Sequence, residues 1–370
     1  MSNNEEFVNI NNRSGSPRSS APKHGAPKKK KTGKLVIRCV SLFLTILCFV
    51  GAIGLFYAHG TLYSINYKSQ EDLKKENPTA PTGATAAKPE DITLNPNSGE
   101  LLSDDYVLNI MLYGTDNSEA LSDTMILLSI DSRHQKIKMT SFLRDTYVAI
   151  PTVGAHKLNY AYAVGGAPLS IQTIEQNYGI KIDKYAMVTF SAFKEIVDIL
   201  GGVEIELTAD EIGYINGQIH DNNQTEYLNA SEGLVKLNGQ QALWYARNRG
   251  GTYGGVTYSG DDWDRTDRQR KFMSAVIDQV KTASLGELIG IVNAIGPCIT
   301  TDLKKTEITG LMANALSFLN YKIVDCSMPA NGLWSYGFNH AGSVILVDDW
   351  YQARLKLAEF IYEEAVQTSN

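Results

Sequence analysis

The chain is short of the residues that most metal and redox sites need. Its 370 residues include only four cysteines, none in a CxxC spacing, and six histidines with no ligand-like spacing, which removes the common zinc and dithiol arrangements. No Walker phosphate loop, HExxH, GxSxG or dinucleotide fingerprint occurs, so the corresponding nucleotide, protease and hydrolase chemistries are excluded on motif grounds. Basic residues are scarce over most of the length. Nine of the 34 Lys/Arg and two of the 40 Asp/Glu fall within residues 1–60, which leaves 25 basic against 38 acidic groups, a formal −13. A surface of that sign does not bind nucleic acid or other polyanions generally. Any anion site must be a local concentration of arginine.

One long hydrophobic run is present. LVIRCVSLFLTILCFVGAIGLFYA, residues 35–58, holds one charge, Arg38, near its start. As a helix it would extend ~36 Å, enough to cross a bilayer. Lys28, Lys29, Lys30, Lys31, Lys34 and Arg38 crowd its N-terminal side. The sequence therefore predicts a disordered basic cytoplasmic tail over 1–34, a transmembrane helix over 35–58, and everything beyond outside the cell. Residues 59–101, with KKENPTAPTGATAAKPED, form an extracytoplasmic spacer, and residues 102–370 a single globular domain. Cys39 and Cys48 fall in the span. Cys298 and Cys326 lie where a disulfide would persist, and sequence leaves open whether they pair.

Within the domain, YVLNIMLYG (106–114), DTMILLSID (123–131) and KIKMTSFL (136–143) are predicted strands. Their connections are too short for crossover helices, so the three run antiparallel. That topology gathers Asp116, Asp123 and the Arg144-Asp145 pair at one sheet edge. Helices are predicted over 157–164, 167–178 and 191–200, alternating with strands over 180–190 and 203–207. A polar excursion over 208–235 precedes a helical segment, 237–249, that finishes on Arg247 and Arg249. A Gly-rich loop, 250–262, follows. The mixture predicts an α/β fold: an α/β/α layered ectodomain around a mixed, partly antiparallel central sheet, preceded by the one transmembrane helix.

The stretch GDDWDRTDRQR, 260–270, is crowded with charge and opens a helix whose apolar stripe is Met273, Val276, Ile277 and Val280. Extending that stripe backwards reaches Gln269, Thr266 and Arg265. Solvated charge would sit opposite. Arg265 and Gln269 are therefore predicted to face inward, whereas Asp264, Asp267 and Arg270 fit ordinary capping and ion pairing.

With these pieces assembled, the chain resembles the LytR-CpsA-Psr family of membrane-anchored cell-wall glycopolymer ligases. The matching segments are NIMLYGTDN, SDTMILLSID, SFLRDTYVAIP, HKLNYAYAVGG, ALWYARNR and DDWDRTDRQR. The resemblance implies transfer of a glycopolymer from a polyprenyl-pyrophosphate carrier to peptidoglycan, assisted by Mg²⁺, with polyprenyl phosphate released. It places metal-binding carboxylates at Asp116 and Asp123 and pyrophosphate-binding arginines at Arg144, Arg247, Arg249 and Arg265. Lys157, Asp262 and Gln269 also fall on motif positions. One departure stands out: Leu121 occupies the place where the family commonly has arginine, two residues before the second aspartate.

Those residue types suit such chemistry. Guanidinium forks grip two phosphate oxygens at once, and carboxylates hold a hard divalent cation. The acceptor hydroxyl needs a proton acceptor, for which Asp262 is the first candidate and Asp145 the second. Arg144, Asp262 and Arg265 are the residues expected at the reacting atoms. Arg247 and Arg249, two apart, diverge if both are helical. Ile171, Ile174, Phe193, Ile196 and Val197 have helical spacing that fits either a channel for the lipid tail or ordinary core. Two other functions use the same residues: a non-catalytic binder of lipid pyrophosphate that regulates wall assembly, and a hydrolase with water as acceptor.

Overall fold

The computed structural model describes residues 65–76, 101–116, 122–281, 285–318 and 320–363. The tail 1–34, the predicted span 35–58, most of the spacer and Leu121 lie outside the described residues. Among the described residues no helix is long and apolar enough to cross a membrane.

The fold is mixed α/β, built on a seven-stranded sheet. Its strands are β1 (Asn66–Tyr67), β2 (Val107–Thr115), β3 (Ser122–Asp131) and β4 (Lys136–Phe142), then β5 (Lys184–Thr189), β6 (Thr300–Thr301) and β7 (Lys322–Met328). The spatial order is β1-β6-β5-β2-β3-β4-β7. As the short connections dictate, β2, β3 and β4 run antiparallel. The outer pairs make the sheet mixed, since β5 is parallel to β2 and β7 is parallel to β4.

Alternation along the strands gives the sheet two apolar faces. Met111, Tyr113, Met125 and Leu127 pack in one core cluster with α1 (Leu158–Tyr178) and the C-terminal helix Trp350–Tyr362. The intervening Leu112, Gly114, Thr124 and Ile126 face α2 (Phe190–Ile199), α4 (Gly239–Arg247) and α5 (Asp262–Lys281) across a cavity. Strands covered on both faces read as continuous apolar runs, as these do. Ile171 and Ile174 belong to the first cluster and are core.

The two helices predicted over 157–164 and 167–178 are one element broken at Gly165-Gly166. Gly166 takes φ 59 and ψ −158, a conformation for glycine alone, and Pro168 opens the second half. Further on, α2 and α4 touch at Gly239, where a Cβ would come 2.2 Å from the Lys194 carbonyl oxygen.

Several expectations need correction. The segment 208–235 is not wholly an excursion: it contains α3 (Ala209–Asp221), started by a capping box between Thr208 and Glu211. Strand β5 begins only at Lys184. The Gly-rich loop carries a small hairpin, Gly251–Tyr253 with Val256–Tyr258. The pairing of Cys298 and Cys326, which the sequence leaves open, is not formed, and both are free thiols. Cys298 sits just before β6 and Cys326 within β7, toward opposite sides of the sheet.

Candidate active site

The site forms where β2 and β4 end and β3 begins, beside the start of α5. Asp116 directly follows β2. Between Gly114↔Thr124 and Thr115↔Ser122 the register shifts, so Asp123 is the extra residue of a β-bulge. The Asp123 side chain lies outside what is described. Arg144 leaves β4 one residue beyond Leu143, and its carbonyl accepts from Asn159 N at 3.0 Å, which ties this turn to the start of α1.

Asp262 is the meeting point. Its Oδ1 lies 3.0 Å from Arg265 Nη2, 3.4 Å from Arg144 Nε and 3.5 Å from Arg249 Nη1. Three guanidinium groups from three separate segments thus share one carboxylate. Arg265 is only 2% exposed, so its charge is held on the inner face of α5, as the apolar stripe predicted. Asp262 is free to turn this way because Asp261 caps the helix instead, accepting from the amides of Trp263 and Asp264 at 2.8 and 3.0 Å. Asp267 and Arg270 pair with each other, and Arg270 also binds Asp325 at 2.6 Å.

A second carboxylate completes the polar centre. Lys157 closes the strand Gly154–Lys157, opposite Tyr147, and its Nζ lies 2.8 Å from Asp145 Oδ1. Arg144 Nε is 3.5 Å from the other oxygen of Asp145. Behind Lys157, burial holds the His156 imidazole below its ordinary value, helped by the charges of His340 and Lys157.

Arg247 and Arg249 do diverge. The helix α4 stops at Arg247, whose guanidinium lies 4.4 Å over the Phe190 ring. The structure brings Arg249 to Asp262 and Arg247 to the apolar cavity instead. That cavity, about 290 Å³, is walled by Leu112, Val188, Phe193, Ile196, Val197 and Val276 among others, with Arg247 and Gln269 also in its lining. Gln269 is buried and donates to the Ala246 carbonyl at 3.3 Å. On the opposite face of the sheet, burial raises the Tyr113 phenol so that it stays neutral.

One positioning residue was not singled out from sequence. Arg268 binds Glu211 at 2.9 Å and the Asn248 carbonyl at 2.9 Å, fixing the turn between Arg247 and Arg249. Its signal was its place beside inward-facing Gln269, on a helix too charged for its apolar neighbours. A cluster at the far sheet edge is structural. Asp131, His134 and Glu363 approach one another closely enough for a cation, but the Lys138 ammonium already sits among them, 2.7 Å from Asp131 and 2.9 Å from Glu363.

An arginine-rich polar centre one helical turn from an apolar cavity, with Arg265 in the first and Gln269 in the second, defines a protein able to hold an amphiphile with an anionic head. The comparisons agree in class. The LytR_cpsA_psr family profile matches residues 56–348, and the chain belongs to that family. It is 32% identical over 251 residues to the polyisoprenyl-teichoic acid–peptidoglycan teichoic acid transferase TagU of Oceanobacillus iheyensis, covering 64% of this chain and 73% of the relative. It is 30% identical over 226 residues to TagV of Bacillus subtilis, a transferase of the same description, covering 60% of this chain and 55% of that one. Among solved structures, B. subtilis TagT superposes with a TM-score of 0.55 at 22% identity over 73% of this chain and 98% of that one. A structure of YwtF (TagT) with bound octaprenyl pyrophosphate lipid gives 0.54 at 22% identity, over 73% and 99% of the two chains.

Proposed function

We propose that this protein transfers a glycopolymer of the teichoic acid type from a polyprenyl-pyrophosphate carrier to peptidoglycan. The observation that carries the reading is the placement of both parts on α5, where Gln269, in the lining of the apolar cavity, lies one turn beyond buried Arg265 of the arginine-rich polar centre. The prenyl tail occupies the cavity, and the pyrophosphate sits among Arg144, Arg249 and Arg265, with Lys157, Arg247 and Gln269 at its margins. TagU and TagV, whose names describe this transfer, support the reading.

A pyrophosphate diester brings about two negative charges, and more charge gathers on its bridging oxygen as the bond breaks. Guanidinium forks already fixed in place stabilise that charge without reorganising. The arriving head group competes with Asp262 for the same three arginines. Displaced from them, Asp262 accepts the proton of the acceptor hydroxyl, with Asp145 as the alternative acceptor. Asp116 and Asp123, hard oxygen donors at one sheet end, fit a magnesium ion and would hold it. When bound, such an ion supplies Lewis-acid neutralisation of the phosphate oxygens.

Residues 35–58 anchor the chain in the membrane with residues 1–34 in the cytoplasm, which keeps the domain close to a carrier in the outer leaflet. The test uses the full chain in lipid nanodiscs with a polyprenyl-pyrophosphate-linked glycan and peptidoglycan. Magnesium-dependent release of polyprenyl phosphate that needs peptidoglycan and disappears in Arg265→Ala is the expected result. Tight binding without turnover would make the protein a regulator, and release without peptidoglycan would make it a hydrolase.

A further inference from the structure

Beyond Asp262 the polar centre opens onto aromatic rings. Trp263 stacks on Trp334 with centroids 4.7 Å apart and planes 27° apart, and Trp334 meets Tyr336 edge-on at 4.9 Å. The strand Trp334–Asn339 pairs antiparallel with Gly342–Val347. Its alternate residues Trp334, Tyr336 and Phe338 therefore fall on one side, about 7 Å apart along the strand. The hairpin is fastened to the site: the Ile345 amide donates to the Asp145 carbonyl at 2.9 Å, and Ile345 bridges Thr146. Tyr336 is 64% exposed and Phe338 86% exposed. A row of rings left open to water beside a reactive centre marks a contact surface.

The position of the row along α5 narrows its occupant. Trp263 and Asp262 begin the helix, Arg265 follows, and Gln269, Met273 and Val276 line the apolar cavity. At 1.5 Å per residue, Trp263 and Val276 are about 20 Å apart along the axis. The cavity runs off one side of the polar centre and the aromatic row off the other. A ligand on the row reaches Asp262 without entering the space suited to the tail.

Charge separates the two kinds of ligand that exposed rings accept. An anionic lipid surface attracts segments with lysine or arginine among the aromatics. From residue 323 to residue 353 this chain has no Lys or Arg, while Asp325, Asp348 and Asp349 are acidic. An uncharged sugar polymer meets no such repulsion. Pyranose rings present flat C–H faces to aromatic rings.

We propose that Trp263, Trp334, Tyr336 and Phe338 form the track for the acceptor glycan strand, laying pyranose rings on the aromatic faces and presenting a sugar hydroxyl to Asp262. The inference deepens the transfer reading and rests on it. The probe is a hexamer of β-1,4-linked N-acetylglucosamine, added to the full chain in nanodiscs and followed by tryptophan fluorescence. Wild type shows saturable quenching. In Tyr336→Ala/Phe338→Ala, both exposed sites that the fold does not need, the Kd rises by roughly tenfold. Leu234→Ala, an exposed leucine on the strand Gly233–Leu237 outside the row, binds as wild type. Equal affinity in wild type and the double variant overturns the track. So does a double variant that loses binding to phosphatidylglycerol–phosphatidylethanolamine vesicles while its sugar affinity stays, which assigns the row to a membrane. The two readings fail separately. A chain that binds the hexamer but transfers nothing defeats the transferase, and one that transfers with unaltered sugar affinity in the double variant defeats the track.

Discussion

Asp262 and Arg265, one turn apart on α5, make a 3.0 Å ion pair whose arginine is almost wholly buried. The carboxylate is thus the anion that this arginine, together with Arg144 and Arg249, holds. Asp262→Asn keeps the shape and removes the charge. Turnover is expected to fall by roughly 10²–10⁴ if Asp262 takes the acceptor proton. Affinity for inorganic pyrophosphate, measured by calorimetry, is expected to rise, because the competing carboxylate is gone. A fall in that affinity would place Asp262 among the groups that build the anion pocket instead.

The cavity makes a separate claim about the tail. Val188 points into it from β5. Val188→Phe adds volume that a space of about 290 Å³ does not readily spare. The expected outcome is roughly tenfold weaker binding of a long polyprenyl pyrophosphate, with inorganic pyrophosphate bound as before. Equal weakening of both ligands would mean that the cavity does not take the tail.

Arg268 is predicted to act through Arg249. Arg268→Ala removes its bonds to Glu211 and to the Asn248 carbonyl. Loss of bonds to a buried charged group costs about 2–3 kcal/mol of stability in urea denaturation. Pyrophosphate affinity is expected to drop as well, since the Asn248 turn no longer holds Arg249 toward Asp262. Retained affinity in the destabilised variant would limit Arg268 to a structural role.

At the opposite sheet edge, stability depends on pH. Burial alone would raise the Asp131 carboxyl, but Lys138 and His134 outweigh it and hold it below the usual carboxylate range. Glu363 is likewise lowered, burial opposing, by Lys136 and Lys138. A carboxyl with a depressed folded-state value contributes stability above its unfolded value, near pH 4, and loses it as pH falls through the folded value. Lys138→Met leaves Asp131 buried without its ammonium, a loss of about 3–5 kcal/mol at neutral pH. The difference in Tm between variant and wild type is expected to shrink as pH falls from 7, because Asp131 without the ammonium becomes neutral at a higher pH than the lowered carboxyl of the wild type. A constant difference would show that Lys138 acts through packing alone.

The parts of this fold that sequence conveyed were those with short-range causes. β2, β3 and β4 follow from apolar runs with tight connections, and Arg265 and Gln269 were legible because a stripe of period 3.6 fixes which side of a helix is inward. The helix α3 was missed for an equally local reason. Its buried Ile212, Ile215 and Ile219 are interrupted by Gly213 and Gly217, poor helix formers kept small where Tyr258 and Tyr253 come close. The Thr208–Glu211 capping box was the available signal. The aromatic hairpin was not legible, because its attachment to Asp145 and Trp263 joins segments far apart in the chain.

The bulge at the end of β2 and β3 separates two demands on one sheet. Asp123 has no partner across the ladder, whereas Leu108 through Gly114 on β2 are paired residue for residue with Ile130 through Thr124 on β3. Substitution at the unpaired position changes the carboxylate supplied at the rim and leaves the pairing beneath it undisturbed. Chemistry at this rim can therefore diverge between relatives while the scaffold that carries it stays the same.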